Sequence, residues 1–150
     1  MNLQAAQPQP RLRQTWYGPE KRCTRCGDCV RACPRDLISA GDGGFPVLSF
    51  ARQGCDSCGD CSRACPIGAI AAVASAPPFA WRVTVASNCL AQQRIECRLC
   101  ADACDARALR FMPAPGGIAQ LRIDAERCTG CGECVAPCPV GAISLRLPAE

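Results

Sequence analysis

The feature that most limits what this chain can fold into is a cysteine rhythm written four times. Cys23, Cys26, Cys29 and Cys33, followed by Pro34, keep the spacing C-x2-C-x2-C-x3-C-P. Cys55, Cys58, Cys61 and Cys65 with Pro66 repeat it, and Cys128, Cys131, Cys134 and Cys138 with Pro139 repeat it again. The third copy, Cys89, Cys97, Cys100 and Cys104, is misspaced: Arg94 stands where its first cysteine should fall, and residues 90–96 separate its first two. The four copies use all 16 cysteines of the 150-residue chain.

Such a density also belongs to secreted disulfide scaffolds. That reading needs an oxidising compartment, yet the first ten residues lack a charged segment followed by an apolar one, so no cleavable signal is expected. No apolar run is long enough to cross a bilayer. The chain is therefore expected to be cytoplasmic, where thiols stay reduced and dense cysteine means metal. Structural zinc takes two separated cysteine pairs, or cysteine with histidine. Here four cysteines crowd into each regular motif and histidine is absent. Iron–sulfur chemistry remains. The formal charge of +4 counts cysteine as neutral; sixteen thiolates and four oxidised cores of about +2 each would bring the loaded chain near −4. Net charge thus gives no footing for nucleic-acid binding.

The regular spacing resembles the run by which bacterial ferredoxins hold [4Fe–4S] clusters. In that pattern three close cysteines wrap one cluster and the fourth, before the proline, reaches its neighbour. Carried onto this chain, the resemblance implies four [4Fe–4S] clusters. The first would use Cys23, Cys26, Cys29 and Cys65, and the second Cys55, Cys58, Cys61 and Cys33. The third would use Cys89, Cys97, Cys100 and Cys138, and the fourth Cys128, Cys131, Cys134 and Cys104.

The linkers set the expected organisation. Residues 37–40 and 45–50 are short apolar runs around Gly41-Asp42-Gly43-Gly44, and residues 108–111 and 118–123 flank Pro113-Ala114-Pro115-Gly116-Gly117. Both read as β-hairpins. The middle linker, residues 74–80, has prolines and no glycine, so the junction is placed near Pro77-Pro78. Residues 81–85 should then open a second unit and residues 142–147 close it. The expected fold is α+β: two tandem bacterial-type 2[4Fe–4S] ferredoxin-like units of short helices and small antiparallel hairpins, over residues 21–76 and 77–150, behind an N-terminal arm of residues 1–20. Nesting motifs two and three inside one and four is the alternative. Units of about 60 residues bury too little apolar surface to be stable alone, so the clusters act as staples and the apo-chain should be largely unfolded.

Several smaller features carry expectations. Each proline after a motif is suited to the first turn of a helix. Gly27, Gly59 and Gly132 follow the second cysteine, where a backbone N–H can approach sulfur, with Ala101 taken as their counterpart in the third motif. Asp28, Asp60, Asp102 and Glu133 read as solvated or helix-start carboxylates. The 90–96 insertion is either an exposing or docking loop or a plain surface insertion. Lys21, Arg22, Arg25, Arg31 and Arg35 gather on the first motif as a solvated face or a steering patch. A nucleotide loop, a histidine base and a spare thiol are all missing, so no enzyme is expected.

The misspaced third motif, with Glu96-Cys97-Arg98-Leu99-Cys100, and the Gly43-Gly44-Phe45-Pro46 turn give the chain from about Trp16 to Leu147 a closer resemblance, to the NapF family of ferredoxin-type proteins. That resemblance implies a cytoplasmic accessory protein that contacts the catalytic subunit of periplasmic nitrate reductase before export and helps it mature. A freely diffusing polyferredoxin, exchanging electrons with a redox donor or acceptor protein, is the alternative.

Overall fold

A computed structural model describes residues 23–70 and 79–148. The arm with Trp16, the residues before Cys23 and the Pro77-Pro78 junction lie outside the described residues. Two tandem ferredoxin-like units follow one another, built from short helices and three two-stranded antiparallel sheets. Strand β1 (Ile38–Ala40) pairs with β2 (Pro46–Leu48), with Ile38 opposite Leu48. Strand β3 (Arg82–Val85) pairs with β6 (Ile143–Arg146), and β4 (Leu109–Met112) with β5 (Gln120–Ile123). These are the two expected hairpins and the expected pairing of opening and closing strands.

The hairpins close where glycine supplies left-handed backbone. Gly43 and Gly44 adopt φ of 65° and 78° between β1 and β2, and Gly116 and Gly117 adopt 90° and 80° between β4 and β5. Across β3 and β6 the Thr84 and Ser144 hydroxyls meet at 2.7 Å, a side-chain pair that locks register.

The helices lie inside the motifs rather than after them. Helix α1 (Asp28–Ala32) carries the third cysteine of the first motif and ends just before the fourth; α2 (Asp60–Arg63) and α3 (Leu99–Asp102) carry the third cysteine of the second and third motifs and end before the fourth. Gly27 and Gly59 are the N-caps, both at φ 76°. The counterpart in the third motif is Arg98, at φ −127°, and not Ala101, which lies within α3. The fourth motif has turns in place of a helix. Pro137, where the other motifs carry alanine, cannot donate to the Glu133 carbonyl, and Val135 and Cys138 bond three residues back instead.

The prolines after the motifs also depart from expectation. Pro34, Pro66 and Pro139 each occupy the second position of a tight turn, closed by Asp36 N–H to Cys33 O at 3.2 Å, Gly68 to Cys65 at 3.2 Å and Gly141 to Cys138 at 3.3 Å. The fixed φ of proline suits that position. Asp105 makes the same turn, with Arg107 donating to Cys104 at 2.9 Å. Asp36, Gly68, Arg107 and Gly141 then take positive φ, which reverses the chain into the following strand or extended segment.

One apolar core runs through both units, gathering Leu37, Leu48, Phe50 and Ile70 with Trp81, Val83, Leu109, Ile143 and Leu145. Its centre is aromatic. Phe79 stacks on Trp81 at 4.5 Å between centroids, and Phe50 meets both edge-on at 6.0 and 6.2 Å. Trp81 is 1% exposed, and its indole N–H donates to Gly130 O at 2.6 Å. Gly130, at φ 72°, has no room for a side chain: a Cβ would stand 2.7 Å from the indole.

Trp81→Phe would keep most of the packing and leave the Gly130 carbonyl without its buried donor. The expected cost is about 1–3 kcal/mol, read as a lower guanidinium midpoint for the loaded protein; an unchanged midpoint would show that the indole bond is not stabilising.

Candidate functional site

Every cysteine lies among the described residues, and none is joined to another as a disulfide. In the regular motifs the loop between the first and third cysteines alternates ordinary and left-handed backbone: Arg25 and Gly27 at 61° and 76°, Ser57 and Gly59 at 60° and 76°, Gly130 and Gly132 at 72° and 80°. That alternation curls the loop so that three sulfurs face a common space. The fourth cysteine stands four residues beyond the third, about 6 Å further along the axis where the motif is helical, and reaches a different space.

Three cavities show where. One is lined by Cys55, Cys58 and Cys61 of the second motif together with Cys33 of the first. Another is lined by Cys128, Cys131 and Cys134 together with Cys104 of the third motif. A further one is lined by Cys89, Cys97 and Cys100 together with Cys138 of the fourth. Apolar residues complete the walls: Leu37, Ile38 and Ile70 in the first, Val83 and Leu145 in the second, Leu99 and Ile143 in the third. Among the described residues no three cysteines or carboxylates gather closely enough to hold a single metal ion. The sulfurs surround a space instead, as a cage-shaped cluster requires. Soft thiolate donors in sets of four, walled by hydrocarbon, fit an iron–sulfur group.

The thiols resist ionisation where the walls close over them. Burial pushes Cys55 up to about 11. Burial, then the neighbouring Cys89, Cys97 and Cys138, does the same to Cys100. Cys61 is raised by burial and by the charges of Cys33, Cys58 and Cys29; Cys134 is raised furthest, by burial and by Cys131, Cys104, Cys128 and Cys100. Cations at the centre of each set would reverse that balance.

N–H groups reach sulfur from Ala69 to Cys65, Ala108 to Cys104 and Ala142 to Cys138, at 3.2, 3.3 and 3.2 Å. Each donor lies four residues after its cysteine, delivered by the turn at positions 66–68, 105–107 or 139–141. Ser57 donates to Cys55 at 3.4 Å. The glycines expected to do this serve as caps and close-approach points instead.

The insertion in the third motif folds back on itself, with Gln93 N–H donating to Cys89 O at 3.1 Å and Ile95 to Leu90 O at 2.9 Å. Cys89 and Cys100 are buried, whereas Cys26 and Cys58 are exposed. The irregular motif is thus better covered than the first two and as well covered as the fourth, where Cys128 and Cys134 are buried. Its loop also forms a groove of about 150 Å³ against β4 and the β4–β5 turn, lined by Arg94, Ile95, Arg98, Phe111 and Ile118.

The basic residues on the first motif are already engaged. Arg31 pairs with Asp28, Arg25 lies over the Phe45 ring at 5.4 Å, and Arg35 reaches across to Asp56 and Glu133; Lys21 and Arg22 lie outside the described residues. Glu133 is correspondingly not a plain solvated carboxylate. Nothing in the local sequence signals its role, because its partner is 98 residues away.

Residues 22–69 and 93–142 each match the 4Fe-4S dicluster domain family. The chain is 47% identical over 124 residues to the ferredoxin-type protein NapF of Haemophilus influenzae, an alignment covering 83% of this chain and 70% of that protein. It is 37% identical over 148 residues to the ferredoxin-type protein NapF of Escherichia coli K12, covering 89% and 83%. It is also 30% identical over 142 residues to the methylamine utilization ferredoxin-type protein MauM of Methylophilus methylotrophus, covering 83% of this chain and 63% of that protein.

Ligand thiols must lose their protons on loading, so uptake depends on pH. Iron and sulfide bound by the apo-chain should increase as pH rises from neutrality toward the ordinary thiol value of 9.0; anaerobic iron counting across that range checks it, and a flat profile would contradict it.

Proposed function

From its membership of the NapF family of ferredoxin-type proteins, to which the chain belongs, we propose that it carries four [4Fe–4S] clusters and serves the maturation of the catalytic subunit of periplasmic nitrate reductase in the cytoplasm, before that subunit is exported. At the coarser level it is an iron–sulfur protein of electron-transfer or accessory type, with two 4Fe-4S dicluster domains, and no described helix is long and apolar enough to cross a membrane.

The observation that carries the cofactor assignment is the composition of the cavities. In each, three cysteines come from one motif and the fourth from its partner, which favours serial pairing of motifs over nesting. Cys33, Cys55, Cys58 and Cys61 would hold one cluster, Cys104, Cys128, Cys131 and Cys134 another, and Cys89, Cys97, Cys100 and Cys138 a third. Cys23, Cys26, Cys29 and Cys65 remain for the fourth; Cys23, Cys29 and Cys65 all pack against the same core. The units would run over residues 21–76 and 77–150, behind the arm of residues 1–20.

When bound, each cluster supplies a site that takes up and releases a single electron. The chain's own contributions are different. Apolar walls exclude water, the Ala69, Ala108 and Ala142 amides favour the more negative reduced state by donating to sulfur, and the turns after each motif aim those amides. Among the described residues no group positioned for bond-making chemistry accompanies the cysteines, and the protein is read as a carrier and assembly factor, not an enzyme. A diffusing electron carrier is the second reading, favoured by the exposed Cys26 and Cys58, through which a redox partner would make a close approach.

The exchange of fourth ligands can be tested by alkylation. In loaded Cys33→Ser, the thiols of Cys55, Cys58 and Cys61 should become reactive while Cys23, Cys26, Cys29 and Cys65 stay protected, as read by mass spectrometry; exposure of the first motif instead would sink the exchange.

The partner is tested in anaerobic cytoplasm. The unexported catalytic subunit should co-purify with the loaded protein, its clusters verified by EPR, and should be lost after chelation. If it never co-purifies, the maturation reading fails and the carrier reading stands.

A further inference from the structure

The two units meet along a seam that runs through the ligand loops themselves. The Cys55 N–H donates to the Cys131 carbonyl at 2.7 Å. Beside it, Gly54 presses on Glu133 so closely that a Cβ would stand 2.3 Å from the Glu133 nitrogen. The Gly54 N–H donates to Glu133 Oε2 at 3.3 Å, and the Gly54 carbonyl accepts from Arg35 Nη1 at 2.9 Å. Arg35, two residues past Cys33, pairs with Glu133 on one side and with Asp56, at 3.3 Å, on the other. Phe50 fills the space above Gly132, where a Cβ would stand 2.4 Å from its ring. Backbone therefore touches backbone between the cavity of Cys33, Cys55, Cys58 and Cys61 and the cavity of Cys104, Cys128, Cys131 and Cys134.

Within each unit the sites are tied by the motifs. Cys100 and Cys104, like Cys134 and Cys138, line different cavities from positions four residues apart. Helix α1, carrying Cys29 before Cys33, packs on α2, carrying Cys61 before Cys65. The Cys55–Cys131 bond itself joins the second motif to the fourth.

We infer that the Cys55–Cys131 seam joins the two ferredoxin-like units into one unbranched line of four redox sites, in the order first, second, fourth, third. The inference rests on the cysteine assignments proposed above. A one-electron donor docking on the exposed first unit is thereby connected to a one-electron acceptor at the third motif. Each hop oxidises one site as it reduces the next, with no bond made or broken and no proton required. The glycines at 54 and 132 are the positioning residues of this line: they let the ligand loops approach, and they bind no cluster themselves.

The test uses the reconstituted full chain, with iron counted in every sample, beside Gly54→Ala and Glu133→Gln. In fully reduced wild type, EPR should show spin–spin broadening beyond that of two independent pairs. After flash photoreduction, electrons should redistribute between the units at a rate independent of protein concentration. Loaded Gly54→Ala should lose the extra broadening and slow the inter-unit phase severalfold, while redistribution within each unit is unchanged; Glu133→Gln should move the same readouts in the same direction by less. Unchanged broadening and rate in loaded Gly54→Ala would overturn the seam. If Gly54→Ala fails to load, wild type decides alone, because an inter-unit phase proportional to protein concentration overturns the line. Iron counting separates the two failures: markedly fewer than about sixteen irons per wild-type chain contradicts the ligand assignment, whereas full loading without coupling contradicts only the seam.

Discussion

The last cysteine of each motif has to leave the loop that carries the first three, and much of the molecule follows from where it goes. A curled loop can aim three sulfurs inward, but a residue four residues beyond the third reaches a different space. Cys33, Cys104 and Cys138 accordingly line cavities that belong to neighbouring motifs. Paired motifs must therefore sit side by side, and the hairpins β1–β2 and β4–β5 are the short connections that bring them there. The following turn then has two tasks. It reverses the chain into the next strand or extended segment and, at Cys65, Cys104 and Cys138, returns an N–H to the sulfur just passed.

A second constraint is the shortage of apolar material. The described units contain few helical residues and strands of three or four, so neither has a deep core of its own. The solution is a shared one: Phe50 from the first unit meets Phe79 and Trp81, and the cluster continues into Val83, Leu145 and Ile143. Along the same boundary, Arg35 and Glu133 are only partly covered, with about a third of each side chain exposed, so water screens the pair and it adds little. Close packing at Gly54 and Gly132, with the Cys55–Cys131 bond, carries more of the contact. Gly54, just before Cys55, has no glycine counterpart before Cys23, Cys89 or Cys128, and it is what lets the second motif's loop reach the fourth's.

Legibility from sequence follows the range of the interaction. Both hairpins are readable from apolar runs around glycine-rich turns, and the β3–β6 pairing from two strand-like segments flanking the second unit. Sequence puts the helices too late, after the prolines, because proline suits a helix start and a turn equally well; the decisive signal is the residue two further on, where Asp36, Gly68, Arg107 and Gly141 take positive φ. Arg98 escapes notice as the third motif's cap position because the long insertion obscures the count. The insertion itself invites the idea of an exposed site, yet its own backbone bonds fold it down and leave Cys89 buried.

By itself the sequence determined the chemistry: sixteen thiols in four phased sets, with no histidine and no spare cysteine, leave a narrow choice of cofactor, and the misspaced third set marks the family. Spacing along the chain is enough for that, because ligand loops and tight turns are local. Only the tertiary structure decided how the two units meet. Gly54 against Glu133, Cys55 against Cys131 and Arg35 between them are contacts across some 75 to 100 residues of chain, and a glycine that permits a close approach looks in sequence like one that merely permits a turn. The difference lies in what stands opposite the missing side chain, which is a property of the folded molecule alone.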